Sequence, residues 1–153
     1  MKLLSATLLL VLACLAGAQP ENAELRKTLQ HFYDKWDRAI ESGHVRNVMA
    51  LIEPDFALND AQGKRYTFGE FEDMTRDQIR ARHDLNSSTT VLNVRQQASE
   101  AIAWVKNVQT WQGNMVKTTF IAQTFRKTPE GWKVYYQQIL PDNETWGPPP
   151  AKR

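Results

Sequence analysis

The chain has 153 residues, with 19 Lys and Arg against 17 Asp and Glu, for a formal net charge of +2. That near-balance argues against nucleic acid or an acidic membrane surface as partners, since both call for clustered basic charge. The one cysteine, Cys14, excludes an intramolecular disulfide, so stability has to come from an ordinary apolar core.

Residues 1–18 read as a cleavable signal peptide: Lys2 supplies the positive start, Leu3 to Leu15 the apolar run, and Ala16-Gly17-Ala18 the small-residue cleavage site. Cleavage after Ala18 makes Gln19 the first mature residue and removes the charge of Lys2, leaving +1. The run falls short of the roughly 20 residues a membrane-spanning helix needs. An exported protein, periplasmic or secreted, is expected. Val11-Leu12-Ala13-Cys14 keeps a second reading open, a lipoprotein anchored through Cys14.

Leu25, Leu29, Phe32, Trp36 and Ile40 recur at spacings of three and four, predicting an amphipathic helix over 21–42 that Gly43 stops. A second short helix is expected from Val45 to Ile52, ended by Pro54. Two short strands, Phe56 to Asn59 and Lys64 to Thr67, flank the turn Asp60-Ala61-Gln62-Gly63 and form a hairpin. A third helix opens at Thr67 or Gly69 and runs to about His83, with acids early and Arg80, Arg82 and His83 late, as the helix dipole favours.

Four strands follow, Thr89 to Ala98, Ile102 to Trp111, Met115 to Arg126 and Trp132 to Leu140, joined by short turns. Short connections favour antiparallel neighbours, so these form a meander, and strands gathered after helices give an α+β fold. Residues 19–141 are expected to be one domain. The tail 142–153, with Pro148-Pro149-Pro150, is expected to stay extended and mobile.

This order of elements, with Trp36, the Glu41-Ser42-Gly43-His44 junction, Leu51-Ile52-Glu53-Pro54-Asp55-Phe56, the Asp60-Ala61-Gln62-Gly63 turn and Pro129-Glu130-Gly131-Trp132-Lys133-Val134, resembles the nuclear transport factor 2-like superfamily, in its SnoaL-like and secreted branches. The resemblance covers nearly all of 21–140. It implies a cone: three amino-terminal helices with a hairpin, packed in a curved, mostly antiparallel sheet, often with an apolar pocket open at one end. Members include isomerases, dehydratases, cyclases and oligomerisation modules, so the fold names no activity.

Set against the ketosteroid isomerases of that superfamily, Asp60 falls at the position of the proton-carrying base. Trp36 and Gln123 fall at the two oxyanion positions, where an acidic Tyr and a protonated Asp are expected. Both replacements donate hydrogen bonds but are weaker acids, so binding of a carbonyl or hydroxyl is more plausible than enolate chemistry. Each residue also has a plainer role. Asp60 can serve its own turn, Trp36 the helix core, and Gln123 a strand face shared with Ile121 and Phe125.

Trp104, Trp111, Trp132 and Tyr136 are either pocket lining or sheet core. His31, His44 and His83 show no metal-ligand spacing, and no cofactor is implied. Arg76, Arg80, Arg82 and His83 read as an anion cluster or as a charged helix end. The expected function is binding of a small, largely apolar ligand in the cone through Trp36, Trp104, Gln123 and Tyr136. The alternatives are a proton-transfer enzyme using Asp60 and a dimerising interaction module.

Overall fold

Helix α1 (Ala23–Glu41) forms where its apolar stripe predicts it, and Asn22 caps it by accepting the Leu25 N–H at 3.0 Å. At its other end the Gly43 N–H reaches the Ile40 carbonyl and the His44 N–H the Ala39 carbonyl. Gly43 sits at φ +74°, a conformation that strains other residues, so the helix ends there. The structure, a computed structural model, describes residues 22–141. The expected leader with Cys14 and the tail from residue 142 lie outside the described residues.

Helix α2 (Val45–Met49) is shorter than predicted, because Ile52 belongs to the next strand. Strand β1 (Ile52–Asn59) runs parallel to β6 (Gly131–Leu140), with Ile52 paired to Val134 and the Val134 N–H bonded to the Leu51 carbonyl at 3.1 Å. Pro54 has no N–H to give a ladder. It lies in the irregular stretch between Ile52 and Ala57, where pairing is interrupted, instead of closing the helix. Strand β2 (Arg65–Thr67) completes the expected hairpin with β1.

Helix α3 (Phe68–Ala81) starts with a capping box in which Thr67 and Glu70 satisfy each other's backbone N–H groups. Strands β3 (Asn86–Gln97), β4 (Glu100–Trp111), β5 (Met115–Thr128) and β6 make the antiparallel meander. The six-stranded sheet has the order β2-β1-β6-β5-β4-β3. It curves around the helices as a nuclear transport factor 2-like cone.

Strand β3 is an edge, yet its outward backbone groups are not left open. The Val91 N–H and the Thr89 carbonyl bond to Gln30, the Thr89 N–H to Asp37, the Ser87 N–H to Glu41, and the Val91 carbonyl to Arg26. One face of α1 thus stands in for a seventh strand, which removes an edge prone to aberrant pairing. The core fills the space between α1 and the inner sheet face, where Leu29, Val48, Ala103, Phe125 and Val134 are all 0% exposed. Among the described residues, no helix is long and apolar enough to cross a membrane.

Candidate functional site

Alternation along β4, β5 and β6 sends Val105, Asn107 and Gln109, then Lys117, Thr119, Ile121 and Gln123, then Gln137 and Ile139 to one face. Above that face, α1 contributes Tyr33 and Trp36 and α3 contributes Phe71, Met74 and Gln78. Together they enclose a cavity of about 160 Å³. Exposure marks its two ends. Gln123 and Gln137 are buried at one, while Met74, 42% exposed, and the exposed Lys117 stand at the other.

The closed end carries a polar chain. The Tyr33 hydroxyl donates to Gln123 Oε1 at 2.5 Å, and Gln123 Nε2 donates to Gln137 Oε1 at 2.6 Å. Burial, with Asp37 one helical turn away, pushes the Tyr33 hydroxyl well above the usual phenol range, so it keeps its proton. That proton has Gln123 as its acceptor, which fixes the direction of both amides. Gln137 Nε2 ends the chain with no hydrogen-bond partner among the described residues, in a side chain that lines the cavity. The site therefore offers N–H donors to an acceptor atom inside a cavity of mixed polar and apolar lining.

A second network backs the wall formed by Thr89 and Asn107. Buried Asp37 accepts from the Ser87 hydroxyl at 2.7 Å, the Thr89 N–H at 2.6 Å and the Thr89 hydroxyl at 2.9 Å. Asn107 Nδ2 donates to both hydroxyl oxygens. Asp37 does not itself line the cavity. Its carboxylate is spent on the β3 edge and on fixing the two hydroxyls.

Of the residues singled out from the sequence, Trp36 and Gln123 line this cavity together. Trp36 also packs on Phe32 and Phe71, so it belongs to core and wall at once. Trp104 and Tyr136 do not line it. Each is flanked by inward residues, Ala103 and Val105 for one and Gln137 for the other, and stands on the opposite face. There Arg95 lies over the Trp104 ring at 5.7 Å, and the Tyr136 hydroxyl donates to Gln138 at 3.1 Å.

Asp60 is also outside the lining. Its Oδ1 accepts the N–H groups of Gln62 and Lys64 at 3.0 and 2.8 Å, and its Oδ2 accepts the Tyr66 hydroxyl at 3.2 Å. These are the bonds of a side chain that holds a turn. Asp60→Ala is accordingly expected to cost about 1 kcal/mol, read by urea denaturation. A variant as stable as the parent would show that the turn holds without them.

Tyr33, Gln137, Asn107, Gln109 and Lys117 complete the site without having been singled out. Strand alternation carried a signal for the last four, since Gln123 fixes the inward face of β5 and its neighbours follow. Tyr33 had none, being one residue from Phe32 in the helix stripe. Among the described residues, no three of His, Cys, Asp and Glu gather as metal ligands.

No curated protein matches the chain. Its structure is similar to a nuclear transport factor 2-like protein of unknown function from Pseudomonas putida, with TM-score 0.67 and 12% identity, covering 82% of this chain and 92% of that one. It is similar also to a cystatin-like-fold protein of unknown function from Nostoc punctiforme, with TM-score 0.65 and 14% identity over 82% and 97% of the two chains. A dehydratase candidate of the nuclear transport factor 2-like family from Streptomyces avermitilis gives TM-score 0.64 and 15% identity over 77% and 96%. At such identities the likeness shows the fold. The family follows from the sequence, because the model described as a SnoaL-like domain matches residues 29–139, and the chain belongs to that family.

Proposed function

We propose that this SnoaL-like domain binds a small, largely apolar molecule in its cone, holding an acceptor oxygen of that molecule on the Gln137 amide. The observation that carries the reading is the Tyr33–Gln123–Gln137 chain, whose last N–H groups have no partner among the described residues at the closed end of the cavity. The Gln137 Nε2 donors are open to the cavity and not sealed from water, so a ligand oxygen there exchanges a solvent hydrogen bond for a fixed one. A hydrocarbon would displace that water without replacing its hydrogen bond, so the site favours ring compounds carrying an acceptor over plain hydrocarbons.

The volume sets the scale. An engineered 150 Å³ apolar cavity holds benzene, and the 160 Å³ here matches one substituted ring. It lies below the roughly 300–1,000 Å³ of sites for drug-sized ligands, which disfavours a four-ring steroid. No carboxylate or imidazole lines the cavity among the described residues to act as a base; Tyr33 keeps its proton, and Lys117 stands at the open end, six residues along β5 from Gln123. These groups favour binding over proton transfer. The leader read in residues 1–18 adds that it operates outside the cytoplasm.

Titration with acetophenone, a single ring with one carbonyl, tests the site. Saturable binding is expected by calorimetry, weakened about tenfold in Gln137→Leu, with a denaturation curve confirming that the variant is folded. Absence of binding, or equal affinity in the variant, overturns the assignment.

A further inference from the structure

The open end of the cavity differs chemically from the closed one. Lys117 is the one formal charge among the described residues that line the cavity, and no carboxylate accompanies it there. It faces Gln109 directly across the β4–β5 ladder. Gln109 Oε1 is already occupied, accepting from Gln78 Nε2 at 2.6 Å and from an Arg82 guanidinium nitrogen at 2.5 Å. With its oxygen so held, the Gln109 amide turns its Nε2 donors elsewhere, and no described side chain takes them.

Arg82 is fixed as well, its guanidinium stacked 4.2 Å from the centre of the Trp111 ring. Neither Arg82 nor Lys117 forms an ion pair among the described residues, whereas Arg76, six residues earlier and within α3, is neutralised by Glu72 and Asp73. Burial lowers the Arg82 guanidinium from its usual range; a guanidinium stays protonated in proteins. The rim thus holds Lys117 on β5 and the spare amide donor of Gln109 on β4, and the second unpaired cation, Arg82 at the C-cap of α3, is bonded to Gln109 without itself lining the cavity.

Resting on the reading above, in which the closed end takes an acceptor oxygen, we infer that the ligand is an elongated monoanion whose carboxylate sits at the rim on Lys117, Gln109 and Arg82 while its apolar body and inner acceptor fill the cavity. The spacing supports elongation. Gln123 and Lys117 are six residues apart on β5, roughly 20 Å along a strand at about 3.3 Å per residue, a gap that the long lysine side chain only partly closes. A single ring does not reach both ends. A ring bearing a short chain that ends in a carboxylate does.

The experiment uses a series of 4-acetylphenyl alkanoates of increasing chain length, each beside its neutral primary amide, with acetophenone as the reference. Calorimetry on the parent protein is expected to show the acid favoured over its amide by about tenfold at one chain length and less at the others. Lys117→Gln, an exposed substitution, should bring that preference close to one, and Lys117→Arg should restore it. Raising the salt concentration should shrink the preference, because the rim is open to solvent.

If acetophenone binds but acid and amide bind alike at every length, the anion assignment fails and the cavity reading stands. A preference that persists in Lys117→Gln also overturns the assignment, since the anion is then held elsewhere. If neither acetophenone nor any acid binds the folded protein, both readings fail together.

Discussion

Phe125→Ala is expected to lower the unfolding free energy by about 3–5 kcal/mol, in the range for removing a fully buried aromatic ring. Phe125 is 0% exposed and meets Phe32 edge-to-face at 5.1 Å and Tyr33 at 6.0 Å, so it ties α1 to the middle of the sheet. On its flanks it pairs with Ala101 and Val134, both closely packed, which leaves little that could collapse into the void. Phe125→Leu, which keeps most of the volume, should cost less than half as much. Urea denaturation of the three proteins checks this. Equal losses for Ala and Leu would mean that the ring geometry, and not the filled volume, holds the helix on the sheet.

The ring's position is legible in the sequence, and so is most of the fold around it. Period-two alternation placed Ile121, Gln123 and Phe125 on one face of β5, and the 3.6-residue stripe placed Leu25, Leu29, Phe32 and Ile40 on one face of α1. Punctuation did the rest. Gly43 at φ +74° and the Thr67–Glu70 capping box stop and start helices where local chemistry requires. Sequence periodicity does not locate the end of α2, because Ile52 satisfies a helical period and a strand equally well. Parallel pairing with Val134, distant in sequence, decides between them.

The site was less legible, for two reasons. Alternation separates the faces of a strand without saying which faces inward. In β4 the inner face at its start is made of the small residues Ala101, Ala103 and Val105, and the outer face carries the conspicuous Trp104. Size therefore pointed to the wrong side. The second reason is that a polar residue in a helix reads as solvated unless its partner is known. Tyr33 and Asp37 acquire their roles from Gln123, Ser87 and Thr89, 50 to 90 residues away along the chain.

Asp37→Ala is expected to cost about 2–4 kcal/mol, because it strips the acceptor from two hydroxyls and from the Thr89 N–H, a backbone donor on an edge strand with no other strand to bond. The hydroxyls can turn to new acceptors; the N–H cannot. The same site predicts a pH dependence. Burial raises the Asp37 carboxyl above the usual carboxylate range, helped by Glu41, and outweighs the bonds from Ser87 and Thr89, which lower it. The folded state thus holds this proton to a higher pH than the unfolded chain does. Between the ordinary carboxylate value, about 4, and the raised one, folding takes up a proton, so stability falls as pH rises through that window and levels off above it. Asp37→Asn has no proton to exchange there. The stability of the parent relative to Asp37→Asn should therefore decline from about pH 4 upward and then become flat, read from urea midpoints at each pH. A difference that grows with pH would mean that the three accepted hydrogen bonds outweigh burial, and that the carboxylate is held as a stabilised charge.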